Sequence, residues 1–235
     1  MNHPNDPTFR TTQWTVVLQA QAQESQLALD QLCQRYWYPL YAFVRRKGHG
    51  AEEAKDLTQE FFAQFLEKHW LKSVNQERGK FRTFLMMAMK RFLANQRNHQ
   101  RRLKRGGNKP PLSLDAIEAE ERFAAEALLH EDPSLLYDRG WALTLIKQCL
   151  AQLEKEQEPQ KFQVLRSALV AGTADFDCAQ AAETLGMSEG ATRVAVHRLR
   201  KRYREIFRYE IAQTLSDPAD FDKEINHLIE ILSKG

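Results

Sequence analysis

Cysteine is scarce in this chain: Cys33, Cys149 and Cys178 are the only three in 235 residues, far apart and odd in number. That excludes a disulfide framework, and neither Cys nor His recurs at zinc-ligand spacing, so each Cys reads as a small buried hydrophobe. Long apolar runs are also missing. None approaches the ~18 residues of a membrane span, and the opening MNHPNDPTFR does not read as a signal peptide. These absences lead to the expectation of a cytoplasmic protein with no membrane association. Repeats are absent too, as is any alternating strand pattern longer than a few residues, so the expected fold class is all-α.

Net charge is only +3, which by itself predicts no partner, but the charge is segregated along the chain. From Arg78 to Lys109 there are eleven cations and not one acidic residue. From Asp115 to Asp132 the sign reverses, with Arg122 standing alone against seven acids. From Arg193 to Arg208 the chain turns basic again. Two basic segments around an acidic connector suggest two sites on one polyanion. Gly and Pro mark the joints: RGGNKPP at 105–111, EDPSLLYDRG at 131–140, AGTADFD at 171–177 and SDP at 216–218.

Residues 177–211, DCAQAAETLGMSEGATRVAVHRLRKRYREIFRYEI, have helix-turn-helix form. CAQAAETL is a short helix with Ala181, Ala182 and Leu185 inward. Gly186 stands where a left-handed residue closes a helix, and Ser188 is a good N-cap for the next. The second helix is expected to bury Ala191, Ala195, Leu199 and Ile206, flanked by Val194, Val196 and Tyr203. Arg193, His197, Arg200 and Arg204 then form a continuous basic stripe. A helix of this kind fits the ~12 Å major groove, its early side chains meeting base edges and its later ones phosphates.

The first basic segment differs. Phe81, Phe84, Leu85, Ala88 and Phe92 form its apolar stripe, while Arg82, Thr83, Lys90 and Arg97 share the other side with Met86, Met87 and Leu93. Its Met and Phe residues taken alone fit core packing; the unopposed cations point to nucleic acid, where cations hold the backbone and apolar groups meet unstacked bases. Upstream, AEEAKDLTQEFFAQFLEKHW at 51–70 reads as one helix with Ala54, Leu57, Phe61 and Phe65 on a buried stripe and Phe62 at its edge. The opposite side gathers Glu52, Asp56, Gln59, Glu60 and Glu67 around the small Ala63. On charge alone that face is either solvated or a docking surface for a basic partner.

LDQLCQRYWYPLYAFVRRKGHGAEEAKDLTQEFFAQFLEK, then FRTFLMMAMKRFLANQRNHQRR, then the helix-turn-helix resemble bacterial sigma-70 family factors of the extracytoplasmic-function (ECF) type. DLTQEFF and MSEGATRVAVHRLRKRYRE carry the resemblance most specifically, and it covers roughly 27–107 and 137–211. It implies a non-enzymatic protein without cofactor or metal that binds core RNA polymerase and directs promoter recognition and opening. Its implied layout is a flanking segment (1–26), a region-2-like domain (27–109), an acidic linker (110–136), a region-4-like helix-turn-helix domain (137–215) and an amphipathic tail (216–235). The implied core-binding set, facing the β′ clamp helices, is Glu52, Asp56, Gln59, Glu60 and Ala63; the β flap is a second polymerase contact. Asn75, Arg78, Lys80, Arg82, Lys90 and Arg97 are assigned to the −10 element, with the loop 72–80 near a flipped base. Ser188, Thr192, Arg193, His197, Arg200, Lys201 and Arg204 are assigned to the −35 duplex, and the acidic linker to a basic channel of the polymerase.

Two residues depart from the family pattern. Lys55 stands where an acidic residue is common, and Thr58 where an aliphatic one is usual. A kinase acting on Thr58 would restore the missing charge, but the helical wheel sets Thr58 beside the apolar stripe, where a phosphate disrupts packing. An anti-sigma factor is a further possible partner. The tail, with Phe221, Ile225, Leu228, Ile229 and Leu232 on one side, is expected to pack on its own domain, with a regulatory latch as the alternative. A flanking helix around FRTTQWTVVLQA at 9–20 is expected to bury Trp14. Two competing functions are a dimeric operator-binding regulator and a protein-only adaptor. The acidic face at 52–67 and the first basic segment favour the sigma factor, since a repressor needs neither.

Overall fold

The computed structural model describes residues 26–67, 80–100, 116–126, 132–169, 176–215 and 217–233. Among them the chain is all-α: α1 (Gln26–Arg46), α2 (Ala51–Glu67), α3 (Phe81–Gln100), α4 (Ala116–Glu126), α5 (Pro133–Lys155), α6 (Pro159–Leu165), α7 (Cys178–Leu185), α8 (Glu189–Ala212) and α9 (Phe221–Ser233). No helix of the described residues is long and apolar enough to cross a membrane. The expected flanking helix and its Trp14 lie outside the described residues. The chain divides into two compact units, 1–143 with 212–235, and 144–211.

The first unit is built on an aromatic core. Tyr36, Tyr41 and Phe43 of α1, Phe61, Phe62 and Phe65 of α2 and Phe81 of α3 are fully buried. The period that puts Ala54, Leu57, Phe61 and Phe65 on one side of α2 is the cause of its packing, and all four are buried. Phe61 meets Phe92 of α3 edge-on at 5.8 Å and stacks on Phe65 at 5.8 Å. Such pairs add about 0.5–1.5 kcal/mol each beyond their buried area. α4, inside the acidic connector, lies against α1: Glu120 accepts from Arg45 Nη2 at 2.6 Å and Nε at 3.1 Å, and Phe123 receives the Arg45 guanidinium 4.7 Å from its ring centre. Burial and Glu120 together push the Tyr41 hydroxyl well above the ordinary tyrosine value.

α9 belongs to this first unit, with Phe221, Leu228 and Ile231 buried. The sequence expectation placed the tail with the domain it follows; the buried side of α9 is instead part of the first unit. The start of α3 is tied to the segment before α9, where the Phe81 amide donates to the Thr214 carbonyl at 3.4 Å.

The second unit holds the helix-turn-helix. Glu158 caps α6 by accepting from the Gln160 and Lys161 amides, and Asp177 caps α7 by accepting from the Gln180 amide. Gly186 closes α7 at φ 64°, with its amide bonded to the Glu183 carbonyl at 3.2 Å and the Met187 amide to the Ala182 carbonyl at 2.9 Å. This pair of bonds satisfies carbonyls that the helix end would otherwise leave open. Leu145, Cys149, Leu153, Phe162, Leu165, Ala181, Ala182, Val196, Leu199 and Ile206 are buried in this unit. Burial is the main reason the Tyr203 hydroxyl is pushed up to about 12, with a smaller contribution from Cys149.

Candidate functional site

The basic face of the second unit follows from how α8 is set by its cap. Ser188 Oγ accepts from the Ala191 amide at 3.3 Å and starts the helix. The buried stripe is Thr192, Val196, Leu199 and Ile206, whereas Ala191 is exposed and Ala195 half-buried. The helix is therefore rotated relative to the sequence expectation, and Thr192 is corrected from a DNA-facing residue to a core one. Its hydroxyl donates to the Ser188 carbonyl at 3.1 Å instead. Arg193, His197, Lys201 and Arg204 remain outward. Arg193 has a side chain 68% exposed, and its pair with Glu189 at 2.8 Å is of the weak surface kind that another anion can replace. Arg200 is half-buried, with Nε donating to the Ala168 carbonyl at 2.8 Å, so it serves packing at least as much as display.

Arg202 points away from that stripe, to Glu156, at 2.7 and 2.9 Å. The hydrogen bonds from Arg202 hold the Glu156 carboxyl below the usual range. Val194, 49% exposed, lines a groove with Lys161, Met187 and Arg198.

The first basic segment is arranged less openly than its sequence suggests. Asn75 and Arg78 lie outside the described residues, as does the side chain of Arg97. Lys90 is half-buried, donating to Ser134 Oγ at 3.1 Å. Arg82, expected among the outward cations, is 1% exposed. Its guanidinium lies 4.7 Å over the Trp141 ring, its Nε donates to Asp138 Oδ1 at 2.9 Å, and Nη1 and Nη2 both donate to Glu224 of α9. A buried guanidinium needs charge partners on every side to offset lost hydration, and two carboxylates supply them. In this arrangement Arg82 is not available to DNA. Lys80 Nζ lies 2.5 Å from Glu224 Oε2.

Glu224 and Asp138 are residues that sequence reasoning missed. One signal was present: Glu224 falls on the same side of α9 as Phe221, Leu228 and Ile231, an acid within an apolar stripe. Burial alone would raise its carboxyl, but Arg82 and Lys80 hold it below the usual range.

On α2, Glu52 and Asp56 are exposed, while Gln59, Glu60 and Ala63 are half-buried. Glu60 Oε1 accepts from Gln64 at 2.8 Å and from Gln96 of α3 at 2.7 Å, which fixes its carboxylate. Thr58 is fully buried and its hydroxyl donates to the Ala54 carbonyl at 2.7 Å, so a phosphate there requires α2 to part from its neighbours. Glu120 and Glu121 of α4 share a shallow groove with Glu52 and Lys55, bringing acids from the connector beside the one cation of that face. Among the described residues, no group of His, Cys, Asp and Glu could hold a metal ion.

The model of one protein family, described as ECF sigma factor, matches residues 11–208 of this chain. No curated protein and no solved structure matches it.

Proposed function

The chain belongs to the ECF sigma factor family, regulators that bind RNA polymerase and direct transcription initiation at promoters, and from that premise we propose how its surfaces divide the work. The outward side of α2, with Glu52 and Asp56 and the fixed Glu60 around Gln59 and Ala63, docks on the β′ clamp helices of core polymerase. Glu121 of α4 compensates there for Lys55. The −10 element is opened and held by the first basic segment, through Asn75, Arg78, Lys80, Lys90 and Arg97. The −35 duplex is read by α8, with Arg193, His197, Lys201 and Arg204 reaching the groove and Ser188 and Arg200 setting the helix. The groove beside Val194 faces the β flap.

The observation that carries this reading is α2. One side is sealed by Leu57, Phe61, Phe62 and Phe65, and the other leaves Glu52 and Asp56 in solvent. A stand-alone operator-binding protein has no use for that acidic face. Retention of sheared genomic DNA from the source organism separates the two functions. Specific fragments retained by the protein only together with core polymerase are expected; the same fragments retained equally well without polymerase would overturn the reading.

A further inference from the structure

Lys80 and Arg82 open the helix that the proposed function places at single-stranded promoter DNA, yet both are already occupied by one carboxylate. Glu224 is 0% exposed and uses both oxygens, Oε1 on Arg82 and Oε2 on Arg82 and Lys80. Charge-assisted bonds of this kind are those a DNA phosphate makes with Arg and Lys. The element that brings the carboxylate is α9, which follows α8 after only eight residues, 213–220.

A buried carboxylate is a poor choice if α9 needs only to be held. It lies within the stripe of Phe221, Leu228 and Ile231, and an apolar residue there would pack without the cost of dehydrating a charge. What a carboxylate provides and a leucine does not is exchangeability: another anion can take its place. Asp138 meanwhile keeps its hydrogen bond with Arg82 Nε, so the guanidinium is not stranded when Glu224 leaves.

We infer that α9 is an autoinhibitory clamp, in which Glu224 stands in for a phosphate on Lys80 and Arg82 and must be displaced before the first basic segment engages single-stranded DNA. The inference rests on the proposed function for the identity of the competing polyanion. The clamp and the DNA backbone exclude each other, so the free protein is held back from non-specific single strands.

The test compares the full-length protein with its Glu224→Gln variant, using a fluorescein-labelled oligothymidylate and fluorescence anisotropy over a salt series. Each further phosphate that the protein neutralises steepens the dependence of log affinity on log salt by about 0.7. The variant is expected to bind more tightly than the native protein at every salt concentration and with the same slope, because once the clamp is displaced Lys80 and Arg82 meet phosphates in both complexes. Adding Lys80→Gln to Glu224→Gln is expected to take about 0.7 off that slope. Equal affinity of the variant and the native protein overturns the clamp.

A second measurement needs no variant. Amide hydrogen exchange of residues 221–233 in the native protein is expected to accelerate when the oligonucleotide binds; unchanged or slower exchange overturns the clamp. Core polymerase binding separates this inference from its premise. Native binding to polymerase with equal oligonucleotide affinity in the native protein and the variant removes only the clamp, whereas no polymerase binding by the native chain removes the function it starts from.

Discussion

Arg82 of α3 and Glu224 of α9 stand 142 residues apart in the chain and face each other almost wholly out of solvent. The pair joins the C-terminal helix to the unit that begins the chain, and it accounts for why one cation of the basic segment is not on the surface. Its energetics are asymmetric. Removing one member of a buried pair costs about 3–5 kcal/mol because the other is left charged and unsolvated.

Glu224→Gln leaves Arg82 with Asp138, so its expected cost is at or below the lower end, about 3 kcal/mol. Arg82→Met leaves both Glu224 and Asp138 facing the gap and is expected to cost more. Urea unfolding of the two variants checks the order, and equal stability of both would show that the three-residue arrangement is not coupled.

The same carboxylate sets an acid limit. Although burial pushes the Glu224 carboxyl up, Arg82 and Lys80 hold it below the usual range, so its folded pKa is depressed. The stability it contributes is complete above the unfolded value of about 4.3 and is lost as pH falls through the lower folded value. Protection of α9 amides against hydrogen exchange is expected to hold from neutrality down to about pH 5 and to drop below about pH 4. Loss of protection on raising the pH instead would reverse the sign of this argument.

Gly186 is required by its backbone and not by its surroundings. It sits at φ 64°, and a methyl group added there would meet nothing within 4 Å. Gly186→Ala is therefore expected to cost only the left-handed penalty, about 1–2 kcal/mol. Chemical denaturation measures it, and a cost well above that range would show that the backbone conformation is not the whole reason for the glycine.

The stripe on α8 makes a prediction that divides its residues. Arg193→Ala and Arg204→Ala are each expected to reduce the salt slope of duplex binding by about 0.9, the mark of one phosphate no longer neutralised. Thr192→Val is expected to leave DNA affinity unchanged, because Thr192 is buried. Salt titrations on promoter duplex decide it. A Thr192→Val variant that folds normally and loses DNA would restore Thr192 to the interface.

What was legible in the sequence was local. The apolar period of α2 gave its buried side correctly, because five large or small apolar residues agree on one direction and, apart from the small Ala63, only charged or amide groups oppose them. The Gly186 and Ser188 turn was equally plain, since each residue has a distinct backbone or capping task. On α8 the small Ala191 and Ala195 competed with Thr192 and Val196 for the inward position, and a pattern so weak in large apolar residues could not fix the rotation. Arg82 was out of reach for another reason. Its burial depends on a carboxylate 142 residues away, and no helical wheel of α3 contains it. The tail was misplaced because amphipathicity says that a helix packs and is silent on where.

If the exposed acids of α2 dock on core polymerase, reversing their charge weakens the complex. The native protein and a Glu52→Lys, Asp56→Lys variant, both confirmed folded by circular dichroism, are titrated into fluorescently labelled bacterial core RNA polymerase. Both positions are exposed, so the reversal leaves the core of the first unit intact. A saturable complex is expected with the native protein, and at least a roughly tenfold loss of affinity, about 1.4 kcal/mol, in the variant. A variant that binds as tightly as the native protein would contradict this docking.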